Sequence, residues 1–417
     1  MLLKNASYLN HEFSLAKGDL FINDGKIIID GLPQDDTLEV IDCDDYVIIP
    51  GLFNSHYHGY SYVAKGIGRD IKIEEWCKDS PQGRVQNQLF KSIDGLSDEE
   101  YQVICMKSYM EMAKKGITFV SESEPGNNPG ITAEGIRKIG LRGFVDTYHQ
   151  IEEYYERQQQ NLTFGTHLLE EEDITDETIL SCLQAKEKYP SSLFLTHCME
   201  NDWRRDLIYS AYNKSSIVLY KEHGLLDHKT VLFHSVYAND HDIELIRDAG
   251  SSIVHCPVSN HWTGAGIAPI GRMLEKGINV CIGTDYASTD IWETMKAAYF
   301  LLKNHRPMDR FTAEDIFKMA TISGAKAFHQ PSLGSIKHGY DADLVFIKKD
   351  CFIPSIHTDG FSNLVHNLLF ETKEEQIQHC LVQGRWIMRD RQLLLVDEEE
   401  INKKYMDILN KLFGNYK

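Results

Sequence analysis

The spacing of apolar positions changes along this chain, and the change divides it into three parts. Residues 1–48 read as short strands broken by turns, with 19–23 and 26–30 flanking the turn signal Asp24-Gly25. A similar pattern returns late, in 339–347 and 380–388. Neither end has enough strands to bury a face alone. The two ends, 1–48 and 335–417, are therefore expected to build one small β-sandwich, with a C-terminal helix completing the second part. Between them, over 49–334, strand-like and helix-like segments alternate. Eight strand candidates stand out: 47–58, 117–123, 141–149, 162–167, 193–200, 230–236, 251–260 and 278–285. Helical stretches such as 98–115, 176–189, 240–249 and 270–276 lie between them. Some open with acids, and Gly116, Gly250 and Gly277 stand just past three of the ends, as capping prefers. Eight βα units predict an α/β protein organised as a (β/α)8 TIM barrel. An open doubly wound sheet would alternate in the same way. However, no G-x-G-x-x-G or G-x-x-x-x-G-K-[ST] follows any strand, so the usual nucleotide signatures are missing.

Composition narrows the function classes. The 417 residues are 42% hydrophobic and 25% charged, with no apolar run near 18 residues, so no membrane span is expected. The apolar start Met1-Leu2-Leu3 is too short for the core of a signal peptide, which points to a cytoplasmic protein. Nine cysteines, an odd number with no C-x-x-C, argue against a disulfide framework and against a structural zinc knuckle. The net charge of −19 disfavours nucleic acid as a partner, because phosphate contacts need clustered Lys and Arg. A small-molecule substrate is favoured, with a homo-oligomer, a dimer first, as the expected assembly.

The chemistry collects at the ends of the strand candidates, where a barrel carries its active site. The first ends in His56-Tyr57-His58, whose i, i+2 spacing aims two imidazoles at one point. The fourth ends in His167, the fifth in His197-Cys198-Met199-Glu200, the sixth in Phe233-His234-Ser235, and the eighth in Gly283-Thr284-Asp285. The seventh opens into His255-Cys256-Pro257-Val258-Ser259-Asn260. His56, His58, His197 and Asp285 together offer three nitrogens and one oxygen, a donor set that suits Zn²⁺ and also Fe²⁺. Such an ion makes hydroxide available near neutral pH. Glu200, on the loop after the fifth strand, is placed to move protons.

These residues resemble the amidohydrolase superfamily, in its aminohydrolase branch of cytosine, guanine and S-adenosylhomocysteine deaminases and chlorotriazine hydrolases. Pro50-Gly51-Leu52-Phe53-Asn54-Ser55-His56-Tyr57-His58 is similar to the family's PGF-N-x-H-x-H strand. His197-Cys198-Met199-Glu200 is similar to its H-x-x-E, and Gly283-Thr284-Asp285 to its G-T-D. The run from His255 to Asn260, Gly266 to Ile270, and the late Ala342-Asp343-Leu344-Val345 extend the match nearly end to end. The resemblance implies one divalent metal ion per chain, zinc with iron as the alternative, no carboxylated lysine, and His234 holding the attacking hydroxide. It implies hydrolytic deamination of an amino-substituted N-heterocycle or amidine-like carbon. Asp285 and Glu200 would carry protons, while His167, Trp76 and Asn260 would contact substrate. Cyclic-amide or C–Cl hydrolysis on the same site is the alternative, and an inactive binding protein the remote one.

The chain departs from the family in places. Asp285 continues as Tyr286-Ala287-Ser288-Thr289-Asp290, His261-Trp262 follow Asn260, and Tyr148-His149 stand where related enzymes carry an arginine for a substrate carboxylate. The acidic run Glu170-Glu171-Glu172-Asp173, next to His167, is expected on the catalytic face, although acids just ahead of a helix are also ordinary capping. Together these features favour a substrate without net negative charge.

Overall fold

The single strand expected over 47–58 is two strands in two different sheets: Tyr46–Pro50 belongs to a sheet built from the chain ends and Leu52–Tyr57 to a barrel. The crossing falls on Gly51, where a Cβ would lie 2.0 Å from Thr118 Oγ1, so a side chain there would collide with the neighbouring barrel strand. The computed structural model describes residues 1–29, 38–76, 78–126, 128–148, 150–159, 161–168, 170–304, 307–358 and 360–414. Asp30, Cys77, His149 and Leu169, which entered the sequence reading, lie outside them.

The terminal sheet starts with β1 (Leu2–Leu9), β2 (Leu15–Asn23), β3 (Lys26–Ile28), β4 (Val40–Asp42) and β5 (Tyr46–Pro50). The barrel follows as β6 (Leu52–Tyr57), β7 (Ile117–Glu122), β8 (Arg142–Asp146), β9 (Leu162–Leu168), β10 (Phe194–Cys198), β11 (Thr230–His234), β12 (Ser252–His255) and β13 (Asn279–Ile282). The chain then returns to the first sheet with β14 (Leu344–Lys348). It passes a small hairpin, β15 (His357–Thr358) and β16 (Phe361–Ser362), and finishes with β17 (Ile377–Val382), β18 (Arg385–Arg389) and β19 (Gln392–Leu393).

Both ends thus share one nine-stranded sheet, in the order β19-β18-β17-β14-β5-β1-β2-β3 with β4 beside β1. Alternation assigns its faces. Ile48 and Phe346 pack into a core of the sheet's own, with Leu3, Leu20 and Leu381, while Val47, Ile49, Val345 and Ile347 join the core shared with the barrel helices. The β2–β3 turn is tied back to the far half of the sheet by Ala342 N donating to Gly25 O, so the sheet curls around its core. The final helix, Glu398–Phe413, lies on the helix Asp98–Lys114 through Lys404–Glu99 and Lys411–Glu100 ion pairs.

The eight barrel strands run parallel in sequence order from β6 to β13, and β6 meets the end of β13 through Asp285 N donating to His56 O at 2.9 Å. Phe53, Phe119, Phe144, Leu195, Phe233 and Val254 fill the interior. The helix Ile322–Ala327 plugs the lower end with Ala325, followed by Phe328. The seventh strand expectation also changes: 251–260 is strand only to His255, and Pro257–Trp262 is a helix with Pro257 in its first turn. A register shift between Asn54 and Tyr57 has a consequence for chemistry. Phe53 and His56 differ in parity, yet both reach the interior, where the His56 ring stacks on Phe233 at 3.9 Å.

Candidate active site

The upper ends of the barrel strands bring together the residues singled out in the sequence. His56 and His58, from the end of β6, place their Nε2 atoms 3.3 and 3.2 Å from Asp285 Oδ1, just past β13. His197, in β10, offers a ligand atom within 4.8 Å of those of His56 and His58, and all three residues are buried. Burial pushes the His56 imidazole down to about 3 and holds His197 well below its ordinary range, so both present neutral rings. His56 Nδ1 is engaged by Ser123 Oγ at 3.1 Å, while His56 Nε2 and His197 Nδ1 are buried without a hydrogen-bond partner. Imidazole nitrogens and a carboxylate oxygen are the ligand types a divalent ion takes. The donor set therefore fits a divalent metal ion.

The backbone at this end is bent to suit. Met199, His234 and Asp285 are non-glycine residues with φ of 44°, 64° and 62°, a conformation that persists only where the surroundings hold it. Glu171 holds the first of them: its carboxylate accepts the Met199 N–H at 2.9 Å and the Ser216 hydroxyl, and so shapes the turn between His197 and Glu200. Asn54 holds the last, exchanging hydrogen bonds with Thr284, side chain to hydroxyl at 2.8 Å and backbone N–H to Oδ1 at 2.9 Å. At Gly283 a Cβ would lie 2.8 Å from the Cβ and backbone nitrogen of His56. Gly283→Ala is accordingly expected to displace His56 and lower bound metal while leaving the far-ultraviolet circular dichroism of the fold in place. Unchanged metal content in a folded variant would show that β6 tolerates the shift.

A cavity of about 430 Å³ opens beside this group, and His58, His197, Glu200 and Asp285 form part of its wall. Glu200 is buried, with one oxygen on Arg204 Nη1 and Oε1 lying 3.9 Å from His234 Nε2. His234 Nδ1 is fixed by Asn260 Oδ1 at 2.8 Å. Of the three residues expected to contact substrate, only Trp76 lines the cavity. Asn260 sits behind His234, and His167 is fully buried with its Nδ1 on Asp146 at 2.9 Å. Asp146 and its neighbouring carboxylates push the His167 ring up to about 9 against the opposing effect of burial, so it carries a proton at neutral pH.

Sequence reasoning missed Glu74, Glu124, Trp203 and Arg204, all on the cavity wall. It left the acidic run after His167 between two readings. Glu170 and Glu172 line the cavity, Glu171 is buried, and Asp173 is exposed. The only sequence signal for Arg204 was its i+4 spacing from Glu200, a pairing the helix Asp202–Tyr212 makes possible.

Behind His58, the wholly buried Glu122 accepts the Gly59 N–H and, at 2.7 Å, the Tyr109 hydroxyl; burial pushes its carboxyl up to about 8. Its folded pKa lies above the ordinary 4.5, so the folded state holds a proton that the unfolded chain releases. The stability tied to that proton is intact below about pH 4.5 and is lost as pH rises to about 8. Melting temperature should fall across this window, and Glu122→Gln, which needs no proton, should flatten the fall. An unchanged slope in a pH series of thermal melts would exclude Glu122 as its source.

The sequence profile of the Amidohydrolase family matches residues 47–387. A 5-methylthioadenosine/S-adenosylhomocysteine deaminase of Pyrococcus horikoshii is 29% identical, over 89% of this chain and 90% of that protein. The crystal structure of an adenosine deaminase from Xanthomonas campestris with bound zinc superposes with a TM-score of 0.88 at 18% identity, covering 99% of this chain and 98% of that one. A guanine deaminase from C. acetobutylicum with guanine in its active site gives 0.79 at 20% identity, over 92% of this chain and 99% of the other.

Proposed function

The chain belongs to the amidohydrolase family, and on that footing we propose that it is a metal-dependent hydrolytic deaminase that releases ammonia from an amino-substituted N-heterocycle or amidine-like small molecule. The observation that carries this reading is the cluster of His56, His58 and His197, with an Asp285 oxygen against the first two rings, beside Glu200 in a cavity of about 430 Å³. Deaminases of adenosine-type compounds among the relatives support it.

A divalent ion, zinc in preference to iron, would be held by His56, His58, His197 and Asp285; when bound it supplies a Lewis acid that brings the pKa of water toward neutrality. The chain's own groups do the rest. Asp285 carries one oxygen 3.8 Å from His234 Nε2 and the other against both His56 and His58, and it is the first proton acceptor. His234 donates Nδ1–H to Asn260, which leaves its Nε2 lone pair to hold a hydrogen of the attacking water. Glu200, pinned by Arg204 through one oxygen, keeps Oε1 for the substrate and delivers the proton to the ring nitrogen beside the carbon under attack. The C–N bond breaks as the proton taken up by Asp285 passes to the leaving amine, ammonia departs, and the hydroxyl left on the carbon returns a proton to Glu200. Among the described residues eight cysteines are free thiols, seven of them buried, which agrees with a reducing compartment, and the cytoplasm is the proposed one.

The test is ammonia release from a panel of aminopurines, aminopyrimidines, pterins and guanidino compounds by protein of known metal content. Ring opening of a cyclic amide with no ammonia from any amine would replace deamination by amide hydrolysis. Glu200→Gln is expected to keep its metal and its substrate affinity while kcat falls by about 10² to 10⁴. Loss of metal in that variant would make Glu200 a ligand instead.

A further inference from the structure

Trp76 forms the centre of an aromatic wall in the cavity, with Tyr286 at 4.9 Å and Phe90 at 6.3 Å between ring centroids. The wall is fixed: Trp76 Nε1 donates to Gly68 O, and Tyr286 accepts from Gln86 Nε2 at 2.6 Å. The same cavity is lined by Glu74, Glu124 and Glu170. The lysines and arginines among the described residues do not neutralise them all, and the proton on His167 is shared with Asp146, to which its Nδ1 is bonded. Arg204 is committed to Glu172 and Glu200, and Lys72, half exposed, divides itself between Glu74 at 3.6 Å and Asp202 at 3.3 Å.

Glu124 and Glu170 pair with no Lys or Arg among the described residues. Their neighbours are His58 Nδ1 at 3.4 Å from Glu124 and His197 Nδ1 at 3.1 Å from Glu170, and the two carboxyls lie within hydrogen-bonding reach of each other. Glu74 Oε2 is a buried atom with no hydrogen-bond partner, and Glu170 Oε1 faces the His197 ring. Two carboxyl groups this close share one proton and keep one negative charge between them, and a cation in the cavity offsets that charge and the charge of Glu74. Planar cations also bind well over aromatic faces, and best over Trp.

We propose that the substrate is a planar cation, an amidinium, guanidinium or positively charged amino-heterocycle, held between the Trp76 wall and the carboxylates of Glu74, Glu124 and Glu170. The proposal rests on the deaminase reading for the fate of the bound molecule. The positive charge follows from the cavity wall.

Benzamidine and benzamide, a cation and its neutral isostere, test the charge without turnover. Calorimetry on the metal-loaded protein should show benzamidine binding about tenfold tighter or more, with the advantage shrinking as ionic strength rises. Glu74→Gln and Glu170→Gln should each reduce that advantage. Metal content is measured in parallel because Glu170 touches His197, whereas Glu74 touches none of the four metal-binding residues. Benzamide binding as tightly as benzamidine, or a benzamidine advantage that survives both substitutions, overturns the proposal. Ammonia release from neutral aminopurines together with equal binding of the two probes would overturn the charge and leave deamination standing. A clear benzamidine preference with no ammonia from any amine in the panel would uphold the charge and overturn deamination.

Discussion

Alanine in place of His56 or His58 is expected to remove metal and activity together. His56 is wholly buried and stacked on Phe233, and its Nε2 and that of His58 flank a single oxygen of Asp285. Without either ring the donor set falls to three. Ammonia release should drop by more than about 100-fold, the upper range when merely an outer partner of a ligand is lost. Bound metal, measured by elemental analysis, should fall from one per chain to a small fraction of that. Retained metal in a folded His56→Ala protein would remove His56 from the ligand set, and two fully occupied ions bridged by a modified lysine would replace the mononuclear assignment.

The second large effect lies away from the cavity. Arg142 opens β8 and is 1% exposed; it holds Asp343 through Nε at 2.8 Å and Asp341 through Nη2 at 2.9 Å, and so joins the barrel to the terminal sheet. Lys26 also reaches Asp341, whereas the Asp343 carboxylate among the described residues otherwise receives only the Gln383 N–H. Arg142→Ala leaves Asp343 buried and uncompensated, which typically costs about 3–5 kcal/mol. Chemical denaturation should show that loss, and adding Asp343→Asn should recover much of it because the stranded charge is then gone. A loss under about 1 kcal/mol would mean that water reaches the site and solvates the carboxylate.

Arg142 also shows what the chain discloses about itself. The run Ala342-Asp343-Leu344-Val345 is recognisable as a motif, but its acid is a structural partner for an arginine far back in sequence, and no local pattern states that pairing. The barrel was legible because parallel strands buried on both faces are apolar throughout, and each carries its polar residue at the end. Two strand readings ran too long for the same reason. Val47 to Phe53 is almost unbroken apolar sequence across the two sheets, and Val254 to Val258 is nearly so across the strand-to-helix break at Pro257.

The convergence of His56, His58, His197 and Asp285 was readable from chain order. The orientation of the acids was not. Glu170, Glu171 and Glu172 have the composition of a helix cap, and only the turn at Met199 and the helix carrying Arg204 draw them inward. The resemblance implied Asn260 and His167 as substrate contacts, and their hydrogen bonds to His234 and Asp146 could not be read from the chain.

The crossing at Gly51 also has a history in time. During synthesis β1 to β5 leave the ribosome first, but β5 obtains its antiparallel neighbour β14 only after the whole barrel has been made. Until then the nascent chain carries an apolar strand, buried on both faces in the finished protein, with one edge open to any extended peptide that meets it. That edge is one residue away from the strand bearing His56 and His58. A message cut short before residue 344 would therefore yield an adhesive intermediate, with the metal-site strand fastened to its sticky side, in place of a barrel lacking an appendage.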